Sequence, residues 1–133
     1  MKKAVYEEIK KELVEKGFAD NGCVAVCGVY NVGWYTLFGG LLGAIVTERS
    51  NCDWIISKRN DELIVIPYAK KTLVYEQGVS IKKQNIIKAS LIVRRFTFKT
   101  VDKKKTSYLV QRGTKDDLKQ ILIDLGLIEN KSK

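Results

Sequence analysis

The chain of 133 residues contains no histidine, a single proline and only three cysteines, Cys23, Cys27 and Cys52. Without histidine the commonest general base and metal ligand are missing, which excludes Ser-His-Asp and Cys-His catalytic arrangements. The odd cysteine count and an N-terminus without the apolar run of a secretory signal predict a cytoplasmic protein. Cys-x3-Cys with no fourth ligand does not fit a zinc knuckle, so we expect buried, inert thiols and no metal.

Other motifs that carry chemistry are also missing. The glycine-rich stretch FGGLLGAIVTE lacks the Gly-Lys-Ser/Thr ending of a phosphate-binding loop. The acidic pairs Glu7-Glu8, Asp61-Glu62 and Asp116-Asp117 fall in predicted helices or turns. Because sequence neighbours do not face each other there, solvated charge is the simpler interpretation. The sequence therefore predicts a protein that is not an enzyme, with no catalytic residues and no cofactor.

Positive charge is concentrated in one stretch of the chain. The net charge is +9, and residues 67–113 hold twelve basic residues against only Glu76 and Asp102. One interpretation is solvated, lysine-rich strand faces that keep edge strands from aggregating. The other is a surface for phosphate or anionic lipid head groups. The candidate anion-binding residues are Lys82, Lys83, Lys88, Arg94, Arg95, Lys103, Lys104 and Lys105.

Both ends of the chain show helical periodicity. Residues 3–16 place Val5, Ile9 and Leu13 on one stripe, and Gly17 is a natural stop. A second helix begins after Gly113, with Thr114 as N-cap and Asp117 completing a capping box. It ends at Gly126. Its apolar face consists of Leu118, Ile121, Leu122 and Leu125.

Between the helices the apolar residues follow the period of strands. The predicted strands cover residues 23–30, 54–57, 63–66, 72–75, 79–81, 86–93, 96–100 and 106–111. Polar turns at 58–62 and 101–105 indicate hairpins. We predict an α+β fold, a strongly bent antiparallel sheet or small barrel of about six or seven strands. A C-terminal amphipathic helix closes the sheet, and the N-terminal helix is an addition to it.

This order of elements resembles the second part of a pleckstrin-homology-like domain of the bacterial or GRAM-related type. The resemblance covers 53–125 and rests on the strand 86–93 after the basic lead-in SIKKQN, the hairpin 96–111 and the helix 115–125. It implies a binding module rather than an enzyme. Eukaryotic pleckstrin-homology domains usually carry a tryptophan in the closing helix, whereas the tryptophans here are Trp34 and Trp54.

We predict that residues 1–133 form one domain with three parts: an N-terminal helix in 1–20, an apolar segment in 21–52, and the pleckstrin-homology-like strands and helix in 53–126. Residues 21–47 carry no formal charge and six of the ten glycines. Within this segment, residues 34–46 form either buried core or an exposed apolar patch for a dimer or a membrane surface. The candidate self-association residues are Trp34, Leu37, Phe38, Gly39 and Gly43.

Three binding functions stay open from the sequence. The first is a basic face for an anionic membrane surface or an acidic protein partner, which would place the protein peripherally at a membrane. The second is nucleic-acid binding, which the charge suits but the scarcity of stacking aromatics disfavours. The third is oligomerisation through residues 32–46.

Overall fold

The computed structural model describes residues 2–20, 22–29, 53–69, 71–102 and 105–128. These residues form an α+β fold with two α-helices and one eight-stranded antiparallel sheet. The α-helices and strands in chain order are α1 (Lys3–Glu15), β1 (Ala25–Val29), β2 (Asp53–Arg59), β3 (Glu62–Ala69), β4 (Thr72–Leu73), β5 (Val79–Lys82), β6 (Ile86–Ile92), β7 (Arg95–Thr100), β8 (Lys105–Val110) and α2 (Lys115–Asp124). Two short 3-10 helices cover Tyr75–Gln77 and Lys83–Asn85.

The first and last strands meet in the middle of the sheet. The strand order is β4-β3-β2-β1-β8-β7-β6, and β5 also pairs with β3. Within the described residues β6 has β7 as its only partner, so the sheet is open rather than closed into a barrel. The sheet has one strand more than the predicted six or seven, because β1 from the apolar segment pairs with both β2 and β8.

The two helices cover opposite faces of the sheet, which we call the α1 face and the α2 face. In β1, Val26 points to the α1 face and Cys27 to the α2 face, and both are fully buried. On the α1 face, Ile9 and Leu13 pack over β1, β2 and β3. The core of the α2 face extends further, to Phe96 on β7. Strands β1 to β3 are therefore apolar on both faces because each face has its own helix.

Both helices end as the sequence predicts. Gly17 and Gly126 have φ of +80° and +73°, the left-handed conformation that glycine adopts without strain. After α1 the N–H of Phe18 donates to the carbonyl of Leu13 at 2.8 Å, and the N–H of Leu127 donates to Leu122 at 2.9 Å. These hydrogen bonds satisfy carbonyls that a helix end otherwise leaves without partners.

The apolar face of α2 is confirmed, but its predicted capping box is wrong. Leu118, Ile121, Leu122 and Leu125 are each at most 2% exposed. Thr114 makes no side-chain cap hydrogen bond. Its hydroxyl accepts the N–H of Val26 at 3.2 Å. Asp117 instead accepts the hydroxyl of Tyr6 at 2.6 Å. The two side chains join the start of α2 to β1 and α1, so they are not available to cap the helix.

The turn between β2 and β3 is tighter than predicted. Two residues, Asn60 and Asp61, replace the expected five-residue turn, and Asn60 has φ of +54°. Asp20 holds this turn, since its carboxylate accepts the N–H of Asn60 at 2.7 Å and the Nζ of Lys58 at 2.8 Å. The hydrogen bond from Lys58 lowers the pKa of Asp20. The predicted strand at 72–75 is likewise only Thr72–Leu73, because a 3-10 turn follows.

Candidate functional site

Among the described residues, no helix lies over half of the α1 face. Helix α1 covers β1 to β3, whereas the same face of β6 to β8 presents exposed and half-buried side chains. Cross-strand register identifies this surface. Gly28 is two residues after Val26, so both lie on the α1 face. Leu109 on β8 is the cross-strand partner of Gly28 and therefore lies on the same face. We call it the outer face. Its residues are Lys88, Ser90, Ile92, Arg95, Thr97, Lys99, Lys105, Ser107 and Leu109.

The outer face is ordered into three rows that run across the strands. The first row is Lys88, Lys99 and Lys105, which are consecutive cross-strand partners. The second row is Ser90, Thr97 and Ser107, and the third is Ile92, Arg95 and Leu109. Because side chains alternate between faces, successive rows are about 7 Å apart and the first and third about 14 Å apart.

The lysine row brings like charges together. Directly opposite side chains in a sheet have Cβ atoms about 4.5–5.5 Å apart, and like charges there destabilise the pair. Among the residues that the structure describes, no carboxylate lies within 4.0 Å of the amino groups of Lys88, Lys99 or Lys105. The row is therefore a concentration of positive charge with no ion-pair partner in the described part of the chain, and an external anion would relieve it.

The hydroxyl row lies directly beside the lysines. The hydroxyls of Thr97 and Ser107 are 3.0 Å apart and hydrogen-bonded, and both residues are half-buried. Ser90 is the cross-strand partner of Thr97 on the other side. Hydroxyls both donate and accept hydrogen bonds, so this row can add neutral donors to an anion bound at the lysines.

The third row continues into an apolar hairpin tip. Ile92 is 56% exposed, Leu109 is 41% exposed, and Val93 in the β6–β7 turn is 74% exposed. Five of the seven large hydrophobic residues that are exposed in the described chain lie between residues 87 and 109. Apolar exposure and positive charge thus occupy the same half of the sheet.

The structure separates the predicted anion-binding residues into groups. Lys88, Arg95 and Lys105 lie on the outer face, and Arg94 is in the turn beside it. Lys103 and Lys104 lie outside the described residues, as do all five predicted self-association residues: Trp34, Leu37, Phe38, Gly39 and Gly43.

Lys82 and Lys83 lie away from the outer face, at the β2–β3 turn. Lys82 is the cross-strand partner of Glu62, and the N–H of Lys83 donates to the carbonyl of Asp61 at 2.8 Å. Hydrogen bonds from Ser80 and Arg59 lower the pKa of Glu62. The carboxylates in this region offset the positive charge, which sets it apart from the lysine row.

Lys99 was not among the predicted residues, although the sequence contained its signal. In the strand Phe96-Thr97-Phe98-Lys99 the two aromatic residues alternate onto the α2 face and are at most 4% exposed. The alternation therefore places Lys99 on the other face. Its position beside Lys88 and Lys105 depends on the strand register, which the sequence pattern leaves open.

A second polar region is a cleft of about 340 Å³ between α1 and the β8–α2 connection. Lys3, Lys10 and Arg112 line it. The Nζ of Lys10 contacts the carboxylate of Asp117 at 3.2 Å and lies 4.3 Å from the ring centre of Tyr6. Burial, together with the hydrogen bond to Asp117, raises the pKa of the Tyr6 hydroxyl. These groups satisfy one another and serve to hold α1 against α2.

The described thiols are poorly placed for nucleophilic chemistry. Cys27 is fully buried and Cys23 is half-buried. Burial raises the pKa of both thiols, and the negative charge of the Asp117 carboxylate raises the pKa of Cys23 further. The reactive thiolate form is thereby disfavoured. Cys52 lies outside the described residues.

Within the described residues no helix has the length and apolar character needed to cross a membrane. Comparison of the chain with protein-family models, with curated proteins and with solved structures gives no match.

Proposed function

We propose that this chain is a non-catalytic, pleckstrin-homology-like binding module whose outer face docks on an anionic membrane surface. The observation that carries the proposal is the lysine row, Lys88, Lys99 and Lys105, in cross-strand register with no described carboxylate within 4.0 Å. An extended anionic surface matches a row of cations spread over three neighbouring strands better than a small ligand does.

The connection between β5 and β6 supports a strongly bent sheet of the pleckstrin-homology-like kind. These strands lie at opposite ends of the strand order, yet only the 3-10 helix Lys83–Asn85 joins them. The chain from Lys82 to Ile86 spans at most about 14 Å. Six strand spacings in a flat sheet would separate β5 from β6 by about 29 Å. This short connection supports a curled sheet, with α2 packed on its α2 face as the closing helix.

The distribution of aromatic residues favours a membrane over nucleic acid. Phe96, Phe98 and Tyr108 stack with one another on the α2 face, with ring centres 5.4–6.3 Å apart. None of the nine residues that define the outer face is aromatic. Single-strand binders need exposed rings on which bases can stack, and the outer face offers aliphatic side chains instead.

Binding to lipid vesicles tests the proposal. We expect co-sedimentation with phosphatidylcholine vesicles that contain phosphatidylglycerol, and none with phosphatidylcholine alone. Each lysine near an anionic surface contributes about 1 kcal/mol, so replacing Lys88, Lys99 and Lys105 together by Gln should weaken binding about 100-fold. The control replaces Lys82, Lys83 and Lys119, three exposed lysines elsewhere, by Gln.

The control variant has the same net charge as the test variant, so a difference in vesicle binding between them reports the position of the lysines and not the total charge. Equal weakening by both variants would contradict docking through the outer face. Stronger competition by nucleic acid than by anionic vesicles would replace the membrane with nucleic acid as the partner.

A further inference from the structure

We propose that the tip of the β6–β7 hairpin, Ile92 and Val93, inserts among the lipid acyl chains when the outer face docks. This inference rests on the proposed function and adds the orientation and depth of binding. The tip lies at one end of the outer face, and the lysine row lies about 14 Å from it along the strands. Docking is then oblique, with the tip deepest and the lysine row over the head groups.

The backbone at the tip is unfavourable for the residue it carries. Ile92 and Arg95 are paired, which leaves Val93 and Arg94 as a two-residue turn. Val93 has φ of +57°, whereas Arg94 is not among the residues with positive φ. This pattern is that of a type II′ turn, whose first position strongly prefers glycine. A β-branched residue is the least suited to the left-handed region.

The side chain at the tip contributes little packing to the isolated protein. Val93 is 74% exposed, the highest value among the exposed large hydrophobic residues of the described chain. Valine at this position thus raises the free energy of the folded protein through its backbone conformation and leaves apolar surface in water. Glycine would avoid both effects. Transfer of this side chain from water into an apolar environment outside the protein would be favourable.

The tip is also hydrogen-bonded to β8 and flanked by arginine. The N–H of Val110 on β8 donates to the carbonyl of Arg94 at 2.7 Å, which holds the turn against the neighbouring strand. Arg94 is half-buried and Arg95 exposed. Guanidinium groups bind phosphate in a bidentate manner. Arginines directly after an apolar tip therefore suit the phosphate layer that lies above the acyl chains, and a preformed tip enters it without an ordering cost.

Two hairpin valines at opposite ends of β7 give a matched test. Val101 in the β7–β8 turn is 56% exposed and serves as the control for Val93. On vesicles containing phosphatidylglycerol, Val93→Ser should lower the partition coefficient about tenfold, as expected for one buried aliphatic side chain. Val101→Ser should leave it unchanged. High salt should weaken but not abolish binding of the unaltered chain.

Insertion depth is measured with Val93→Trp and Val101→Trp, each compared with the native tryptophan signal. On vesicles with brominated acyl chains, Val93→Trp should gain quenching and Val101→Trp should not. If the unaltered chain binds but Val93→Ser binds equally well, or Val93→Trp gains no quenching, insertion is refuted and surface docking stands. If the unaltered chain fails to bind anionic vesicles, the proposed function itself is refuted.

Discussion

Replacing Val93 by glycine should stabilise the folded protein. The left-handed conformation, with φ of +57° at this position, costs a residue other than glycine about 1–2 kcal/mol. Glycine loses about 0.5–1 kcal/mol more chain entropy on folding than a residue with a side chain. Little burial is lost, because Val93 is 74% exposed. The net gain in the free energy of unfolding is therefore about 0–1.5 kcal/mol, with a midpoint of about 0.75 kcal/mol.

Equilibrium unfolding in urea measures this gain as a higher midpoint with an unchanged slope. Val101→Gly is the control, because Val101 is also exposed in a hairpin turn but has no positive φ. It should destabilise the protein by about 0.5–1 kcal/mol, the entropy cost alone. A Val93→Gly variant less stable than the unaltered chain would show that the valine stabilises the fold, and would remove the reason for assigning it a partner.

Two further predictions concern the core and the β2–β3 turn. Leu122→Ala should lower the free energy of unfolding by about 2–5 kcal/mol, because Leu122 is fully buried. The control Lys119→Ala, at an exposed position of the same helix, should change it by less than about 0.5 kcal/mol. Equal effects of the two variants in thermal unfolding would refute the packing of α2 on the sheet. Folding lowers the pKa of Asp20. The ionised carboxylate therefore stabilises the folded protein at pH values above the unfolded-state pKa of about 3.9, and this stabilisation is lost as pH falls through the lower folded-state pKa. Asp20→Asn should therefore destabilise the protein at neutral pH. In urea unfolding, the difference in free energy of unfolding between the unaltered chain and this variant should become smaller below about pH 4. A difference that does not change with pH would contradict the role assigned to Asp20.

The elements with a strong period were predictable from the sequence. The leucine and isoleucine stripe of α2 and the terminating Gly17 and Gly126 follow local rules of helix geometry, and the structure confirms them. The alternation in 96–99 also predicts which residues face the core. In each case the signal lies within a few neighbouring residues, where short-range physics decides the conformation.

What was missed depends on contacts between distant parts of the chain. Thr114 and Asp117 have the spacing of a capping box, but Val26 and Tyr6 compete for the same side chains. Hydrogen bonds to a buried backbone group outweigh a cap that water can replace. The lysine row was missed for a similar reason. Alternation assigns Lys99 to a face, whereas only the register of β6, β7 and β8 places it beside its neighbours.

The pairing of β1 with both β2 and β8 has a consequence for how fast the protein folds. The ladder to β8 joins Cys27 to Val110, and this long loop must close before its hydrogen bonds repay the lost chain entropy. Folds dominated by such distant pairings fold in about milliseconds to seconds, slower than helical bundles. Among the described strands, β1 has β2 as its only sheet neighbour during synthesis until β8 has left the ribosome. In that interval the apolar edge of β1 is exposed to pairing with other chains.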